Sequence, residues 1–308
     1  MLPIALVILA SIAVGTASER RWGPVARRAA RGALDVLIYG LMPIVTFFTV
    51  SHVHLTAGVG AGLGFGWVER LTVIGLAWAV GTRALRLPRP SVGAMMVSTG
   101  VANTGYLGIP LISTLLGSHA VGQAVTYDVA VSAPVLLLVG FAIGAAYGTR
   151  AGETPRERLR AFLLRNPPLV AFVLALVAPH ALTPEWALKA AQAAVFALAP
   201  LGFFALGVNL MQEQEEGVRV FPPPLTPPVA TAIGLRLLAA PAVMLGLSAL
   251  IVAVPSAFRV QAAMACGVNG LAVAHIYGLD LRIVSGAIAW STAIVLSAAA
   301  VVALAGGL

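Results

Sequence analysis

The 308-residue sequence predicts an all-α membrane protein: ten transmembrane helices in two inverted five-helix repeats, with the fourth and ninth helices broken. Three observations predict it. Hydrophobic residues make up 59% of the chain and charged residues 10%, whereas about a quarter of a soluble domain is charged. Ten apolar stretches can be drawn, most near the ~20 residues that span a hydrocarbon core. Two of them, in matching places of the two halves, are interrupted by residues that do not continue a helix: Ser98 to Pro110 (STGVANTGYLGIP) and Ala265 to Gly270 (ACGVNG). Unpaired backbone groups in lipid cost several kcal/mol each, so such breaks persist only where protein or a water-filled cavity covers them. A matched pair of broken segments points to a transporter's binding site.

Taken in order, segment one covers about 2–17 and is short for a span. Its positive charges follow the apolar run instead of preceding it, so it reads as a membrane helix with its N-terminus outside, not as a signal peptide. Segments two and three cover about 33–54 and 68–86, with Arg70 placed at a segment end. Segment four, about 91–116, holds the first break, and segment five, about 122–147, carries Asp128. The basic, polar loop Thr149–Arg165 separates a first half, 1–148, from a second, 166–308. Segments six, seven and eight cover about 167–181, 187–211 and 228–252, the last with Arg236 inside it. Segment nine, about 256–277, holds the second break, and segment ten covers about 281–305.

A formal net charge of +8 raises the question of nucleic acid, and the placement of the charges rejects it. Arg20, Arg21, Arg27, Arg28 and Arg31 fall in the first loop, Arg83, Arg86 and Arg89 in the third, and Arg150, Arg156, Arg158, Arg160 and Arg165 in the fifth. The even loops and the segment ends facing them hold only Arg70, Lys189 and Arg259. That is the positive-inside asymmetry, with odd loops in the cytoplasm and both termini outside. The seventh loop carries Glu213, Glu215 and Glu216, but acids weigh little in this rule. One cysteine, Cys266, excludes an intramolecular disulfide, and no Cys/His cluster has metal-ligand spacing, so neither metal nor cofactor is expected.

The two halves share a pattern. Leu41-Met42-Pro43 recurs as Leu198-Ala199-Pro200, 157 residues later, and Phe47-Phe48 as Phe203-Phe204, one residue short of that shift. The same shift carries Gly108–Pro110 onto Ala265–Gly267 and Asp128 onto Ser285. Five segments per half is an odd number, so the halves enter the membrane in opposite senses. From the first break Asn103, Thr104, Tyr106 and Pro110, and from the second Gly267, Asn269 and Gly270, are the candidate substrate-binding residues. Asn103 offers an amide donor for a carboxylate, Asn269 is its counterpart, and the positive ends of the half-helices beyond each break favour an anion. Pro110 is expected to shape the break by removing a backbone donor. Asp128, Arg236 and His275 are candidate coupling or structural charges. Asp128 and Arg236 are expected to brace one another, because a mid-membrane arginine stays charged and needs a partner.

Ala102-Asn103-Thr104, followed by Leu107-Gly108-Ile109-Pro110-Leu111-Ile112 and Gly117, resembles the fourth-segment signature of the auxin efflux carrier family. Arg165-Asn166-Pro167, Phe204-Ala205-Leu206-Gly207, Arg236 to Met244 and Val260 to Ala263 are similar to it as well, so the resemblance covers nearly the whole chain. It implies that segments four and nine cross and that segments 1, 2, 6 and 7 form a scaffold. Segments 3–5 and 8–10 would then form a transport domain that moves like an elevator. It also implies a small organic anion as substrate, often a homodimer, and a bacterial cytoplasmic membrane as the location. Plant members carry prolines in the ninth-segment break, where this chain has Ala265 and Gly270; glycine still permits an unwound backbone.

The leading expectation is a secondary transporter of small organic anions, carboxylates or auxin-like indole acids. A sodium-coupled symporter of the bile-acid carrier type is an alternative within transport, weakened because neither break holds a carboxylate. A non-transporting membrane sensor is the alternative of another class. An intramembrane enzyme is disfavoured, since no Ser/His, paired-Asp or His-Glu-x-x-His arrangement stands out.

Overall fold

The computed structural model describes residues 2–51, 57–179, 182–215 and 223–305. The expected ends of segments two (to 54) and six (to 181), and Glu216, lie outside the described residues. Segment one is α1 (Leu2–Trp22). Segment two is α2 (Pro24–Asp35) joined through a π-helical turn, Val36–Leu41, to α3 (Met42–Val50). Segment three is α4 (Ala57–Ala79), and segment four is split into α5 (Arg89–Gly100) and α6 (Ile109–Leu115). Segment five runs from α7 (Val121–Tyr127) through two π-turns into α8 (Phe141–Tyr147). The second half follows as α9 (Pro155–Leu164), α10 (Pro167–Val177), α11 (Glu185–Glu215), α12 (Pro227–Gly234) with α13 (Ala240–Leu250), α14 (Ser256–Ala262), α15 (Asn269–Tyr277) and α16 (Leu281–Ala305). Among the described residues five helices are long and apolar enough to cross a membrane: Pro24–Phe48, Gly60–Ala84, Val121–Tyr147, Pro227–Leu250 and Leu281–Val302. Thr104–Leu115 and Pro200–Met211 are shorter apolar helices.

Two packing groups are apparent. Helix α11 lies against α1, α2 and α3, and α10 against α3. In the other, α5 packs on α4, α8, α12 and α16, while α15 packs on α8 and α16, and the two groups meet where α11 touches α16, α15 and the Thr104–Gly108 turn and where α2 touches α15.

Three expectations are corrected. Segment two begins at Pro24, so Arg27, Arg28 and Arg31 ride on its first turns instead of in a loop, and Arg27 holds buried Glu19 at 2.5 Å. Segment three begins by Ala57, not near 68. Within the added turns Gly62 and Gly66 sit one helical turn apart where neighbours press in. A methyl on Gly62 would meet the Phe258 ring at 2.7 Å, and one on Gly66 the Tyr127 ring at 2.9 Å. Small residues at this spacing let helices approach closely in membranes. The earlier start moves Glu69 and Arg70 from a segment end to the buried middle of α4. Third, the linker is not all loop: Thr154 and Glu157 form a reciprocal capping box that starts α9.

Candidate functional site

Helix α5 stops at Gly100, and Val101 is extended (φ −87°, ψ 114°). The chain resumes as a π-turn at Thr104 that runs on into α6. In the second half α14 stops at Ala262 and α15 starts at Asn269. The two gaps cross and pair as an isolated antiparallel bridge, Ala102 with Cys266. Asn103 N donates to Ala265 O at 2.8 Å, and Gly267 N donates to Val101 O at 2.8 Å. Gly267 is required by this approach, since a Cβ there would lie 2.9 Å from the Ala102 carbonyl. The break is therefore Val101–Asn103, not the Gly108–Pro110 turn, and the bridge partners Ala102 and Cys266 lie 164 residues apart in the chain. Pro110 sits in the first turn of α6, where its missing N–H leaves little unsatisfied.

Side chains cover the backbone groups that the breaks leave open. Arg236, fully buried, donates to Thr99 O at 3.2 Å and to Ala262 O, so one guanidinium holds the ends of both interrupted helices. Gln261 Nε2 donates to Thr104 O at 3.3 Å and to Ala124 O at 3.1 Å. The Cys266 amide donates to Ser291 Oγ at 3.0 Å.

The expected Asp128–Arg236 brace is corrected by the same geometry. Arg236 Nη2 pairs with Glu69 Oε1 at 3.1 Å, and Glu69 Oε2 accepts from the Tyr127 hydroxyl at 3.1 Å and faces Arg70 Nε at 3.4 Å. Arg70 lies over the Tyr127 ring, 5.9 Å from its centroid. Asp128 instead accepts from Thr104 Oγ1 at 2.5 Å.

Beside the crossing lies a cavity of about 310 Å³, lined by Asn103, Thr104, Tyr106, Asp128, Gly267 and Asn269 together with apolar side chains such as Met42, Val45 and Val125. Asn103 is 3% exposed, and neither its amide nitrogen nor its carbonyl oxygen has a hydrogen-bond partner. Ser132, also on the wall, has an unpartnered hydroxyl. The Tyr106 hydroxyl reaches toward Asn269 Oδ1 at 3.5 Å. Pro110 and Gly270 lie outside the lining, both buried in the half-helices. His275 lies apart, in a second cavity of about 210 Å³ with Asp35, Tyr39, Arg150 and Arg165. Its carbonyl accepts from Arg150 at 2.8 Å. Sequence reasoning missed Glu69 and Ser132; the Gly62-x-x-x-Gly66 spacing was the signal that segment three began early enough to bury Glu69.

The sequence pattern of the membrane transport protein family matches residues 6–303. The chain belongs to this family, that of the auxin efflux carriers. An uncharacterized transporter of Methanocaldococcus jannaschii is 23% identical over 215 residues, covering 67% of this chain and 68% of that protein. Family membership and the long apolar helices make the chain a multi-pass membrane transporter. In this auxin efflux carrier family member the crossing and the cavity are built by the two segments whose interruptions stand out in the sequence.

Proposed function

We propose that the protein carries small organic anions, carboxylates among them, across a bacterial cytoplasmic membrane as a secondary transporter. Asn103 is the observation that carries this reading. A buried amide with no protein partner, on the wall of a cavity, is costly unless a ligand completes it. Its N–H₂ suits a carboxylate, and the half-helices Thr104–Leu115 and Asn269–Tyr277 both begin at the cavity, with their positive ends toward it. The volume and apolar walls suit a small acid with a hydrocarbon body.

In this reading ten spans form two inverted repeats. Segments 3–5 and 8–10 move as a body against 1, 2, 6 and 7, with the contacts of α11 on α16 and α15 as the seam between them. The cavity lining on segment five runs from Val121 to Leu136, toward the end that follows segment four. With odd loops in the cytoplasm, that end faces outward, as do both termini.

The test is counterflow in proteoliposomes with radiolabelled pyruvate, malate and indole-3-acetate. Exchange of at least one, faster than in protein-free vesicles, is expected. Binding without exchange would favour a sensor, and exchange that requires sodium would favour the symporter.

A further inference from the structure

The segments assigned to the moving body bury an unusual set of charges. Among the described residues the buried charged side chains are Glu19, Glu69, Arg70 and Arg236, and Glu19 is matched by Arg27 on segments one and two. The other three sum to +1. Glu69 lies between the two arginines, 3.1 Å from Arg236 and 3.4 Å from Arg70, and cannot neutralise both. The fourth charge is Asp128, half-buried and within electrostatic reach of Arg70. With Asp128 ionised the quartet is neutral. Of the four, only Asp128 lines the cavity, next to the position assigned to the ligand: its partner Thr104 directly follows Asn103.

An anion entering this cavity meets a carboxylate. Two negative charges side by side repel, and together they would leave the body at −1; a net charge in the bilayer is expensive. We infer that Asp128 and the substrate carboxylate are alternative counter-charges for the Arg70–Glu69–Arg236 cluster, so that Asp128 takes up one proton when one monovalent anion binds. The empty body then crosses with Asp128 ionised, the loaded body with Asp128 protonated and the anion in place, and both are neutral. The proton moves from cavity water onto an Asp128 oxygen and leaves to water on the other side; no other group is needed as its source.

The surroundings fit a group that changes state. The Thr104 hydroxyl donates to the ionised carboxylate and can accept from the protonated one. Gly105 lies against the carboxylate, since a Cβ there would sit 3.5 Å from Asp128 Oδ2. Thr104 and Tyr106 from the π-turn and Arg70 from α4 interact with Asp128, and Thr46, Ser132 and Asn269 share the cavity wall with it, while Glu69 and Tyr127 are bonded to each other on the Arg70 side. Arg236 stands behind Glu69.

The inference rests on the proposed anion transport, and the experiment separates the two. Proteoliposomes are clamped at zero voltage with valinomycin and equal potassium, and carry radiolabelled pyruvate or indole-3-acetate against protein-free controls. A pH gradient of one unit, acid on the uptake side, should accumulate label about tenfold, the ratio for one proton per anion. Voltage without a pH gradient should accumulate none. Asp128→Asn should lose net uptake far more than exchange, raising their ratio by roughly tenfold or more, because only the empty return step is left charged. Asp128→Glu should keep the coupling. Uptake by wild type that follows voltage and ignores the pH gradient overturns the inference, as does pH-driven accumulation by Asp128→Asn. If Asp128→Asn does not fold, the wild-type comparison alone decides. Absence of any exchange in wild type overturns the transport reading, and the coupling falls with it.

Discussion

Glu69 and Arg236 meet at 3.1 Å, both without solvent exposure, one from segment three and the other from segment eight. The pair belongs to neither broken segment, yet it secures both. Arg236 donates to Thr99 O and Ala262 O, in the last turn of the helix before each gap, and Glu69 balances the charge that this requires. The crossing is thus held from behind, and among the described residues no cation lines its cavity face.

Arg236→Met removes the donor for two buried carbonyls, at about 1–3 kcal/mol for each acceptor left unsatisfied, and leaves Glu69 with Arg70 as its remaining ion-pair partner. Thermal unfolding in detergent should show Glu69→Gln with Arg236→Gln less destabilised than the sum of the single variants. Strict additivity would mean that the two side chains are not energetically coupled.

Asn103→Ala should separate binding from stability. Losing one hydrogen bond to a charged ligand costs ~1.5–3 kcal/mol, which is about tenfold or more in affinity. The melting temperature should hold or rise, because two unpartnered buried atoms are removed. A destabilised variant with unaltered pyruvate affinity would make Asn103 a packing residue.

Gly267→Ala drives a methyl into the Ala102 carbonyl. It should lower both transport and melting temperature. Gly246→Ala, in α13 with nothing within 4 Å of the added carbon, is the matched control and should gain up to about 1 kcal/mol. Equal behaviour of the two would show that the bridge tolerates separation.

Pro110→Ala should transport nearly as wild type does. The gap at Val101–Asn103 is kept open by pairing with Ala265–Gly267, and Pro110 sits in a helical first turn. Abolished counterflow in a stable Pro110→Ala protein would return the proline to the break.

In a Cys266→Ser background, Ser132→Cys should react with a small thiol reagent and be protected by a bound carboxylate. Cys266 in the native chain should stay unreacted until denaturation, since it is fully buried and outside the cavity lining. Fast labelling of native Cys266 would place solvent where the bridge now stands.

Much of this arrangement is legible in the chain because the bilayer restricts what a sequence can mean. A polar, glycine-rich interruption inside an apolar run is conspicuous, and so Asn103, Thr104 and Asn269 could be named from type and position. The exact gap was not legible. Local breakers pulled it toward Pro110, whereas Val101–Asn103 is extended because a strand-like partner arrives from the other half. The charge network was misread for a related reason. Segment three was expected to begin near 68, which set Arg70 at a segment end, left Asp128 and Arg236 as the two interior charges and made them appear to be mates. Once the helix starts at Ala57, Glu69 becomes the partner, and only its Gly62-x-x-x-Gly66 stripe hinted at that.

The Ala102–Cys266 bridge also sets the order of events on the ribosome. A nascent chain delivers Val101 and Asn103 to the membrane long before Gly267 and Ala265 exist, by the 164 residues between the bridge partners. At usual elongation rates that interval is roughly 10–30 s. Through it the fourth segment must be sheltered, in the translocon or beneath a chaperone, with an amide and a carbonyl still unclaimed. The cavity therefore closes only after the second half arrives, and a chain ending in the linker would lack both partners of the Val101 and Asn103 backbone groups.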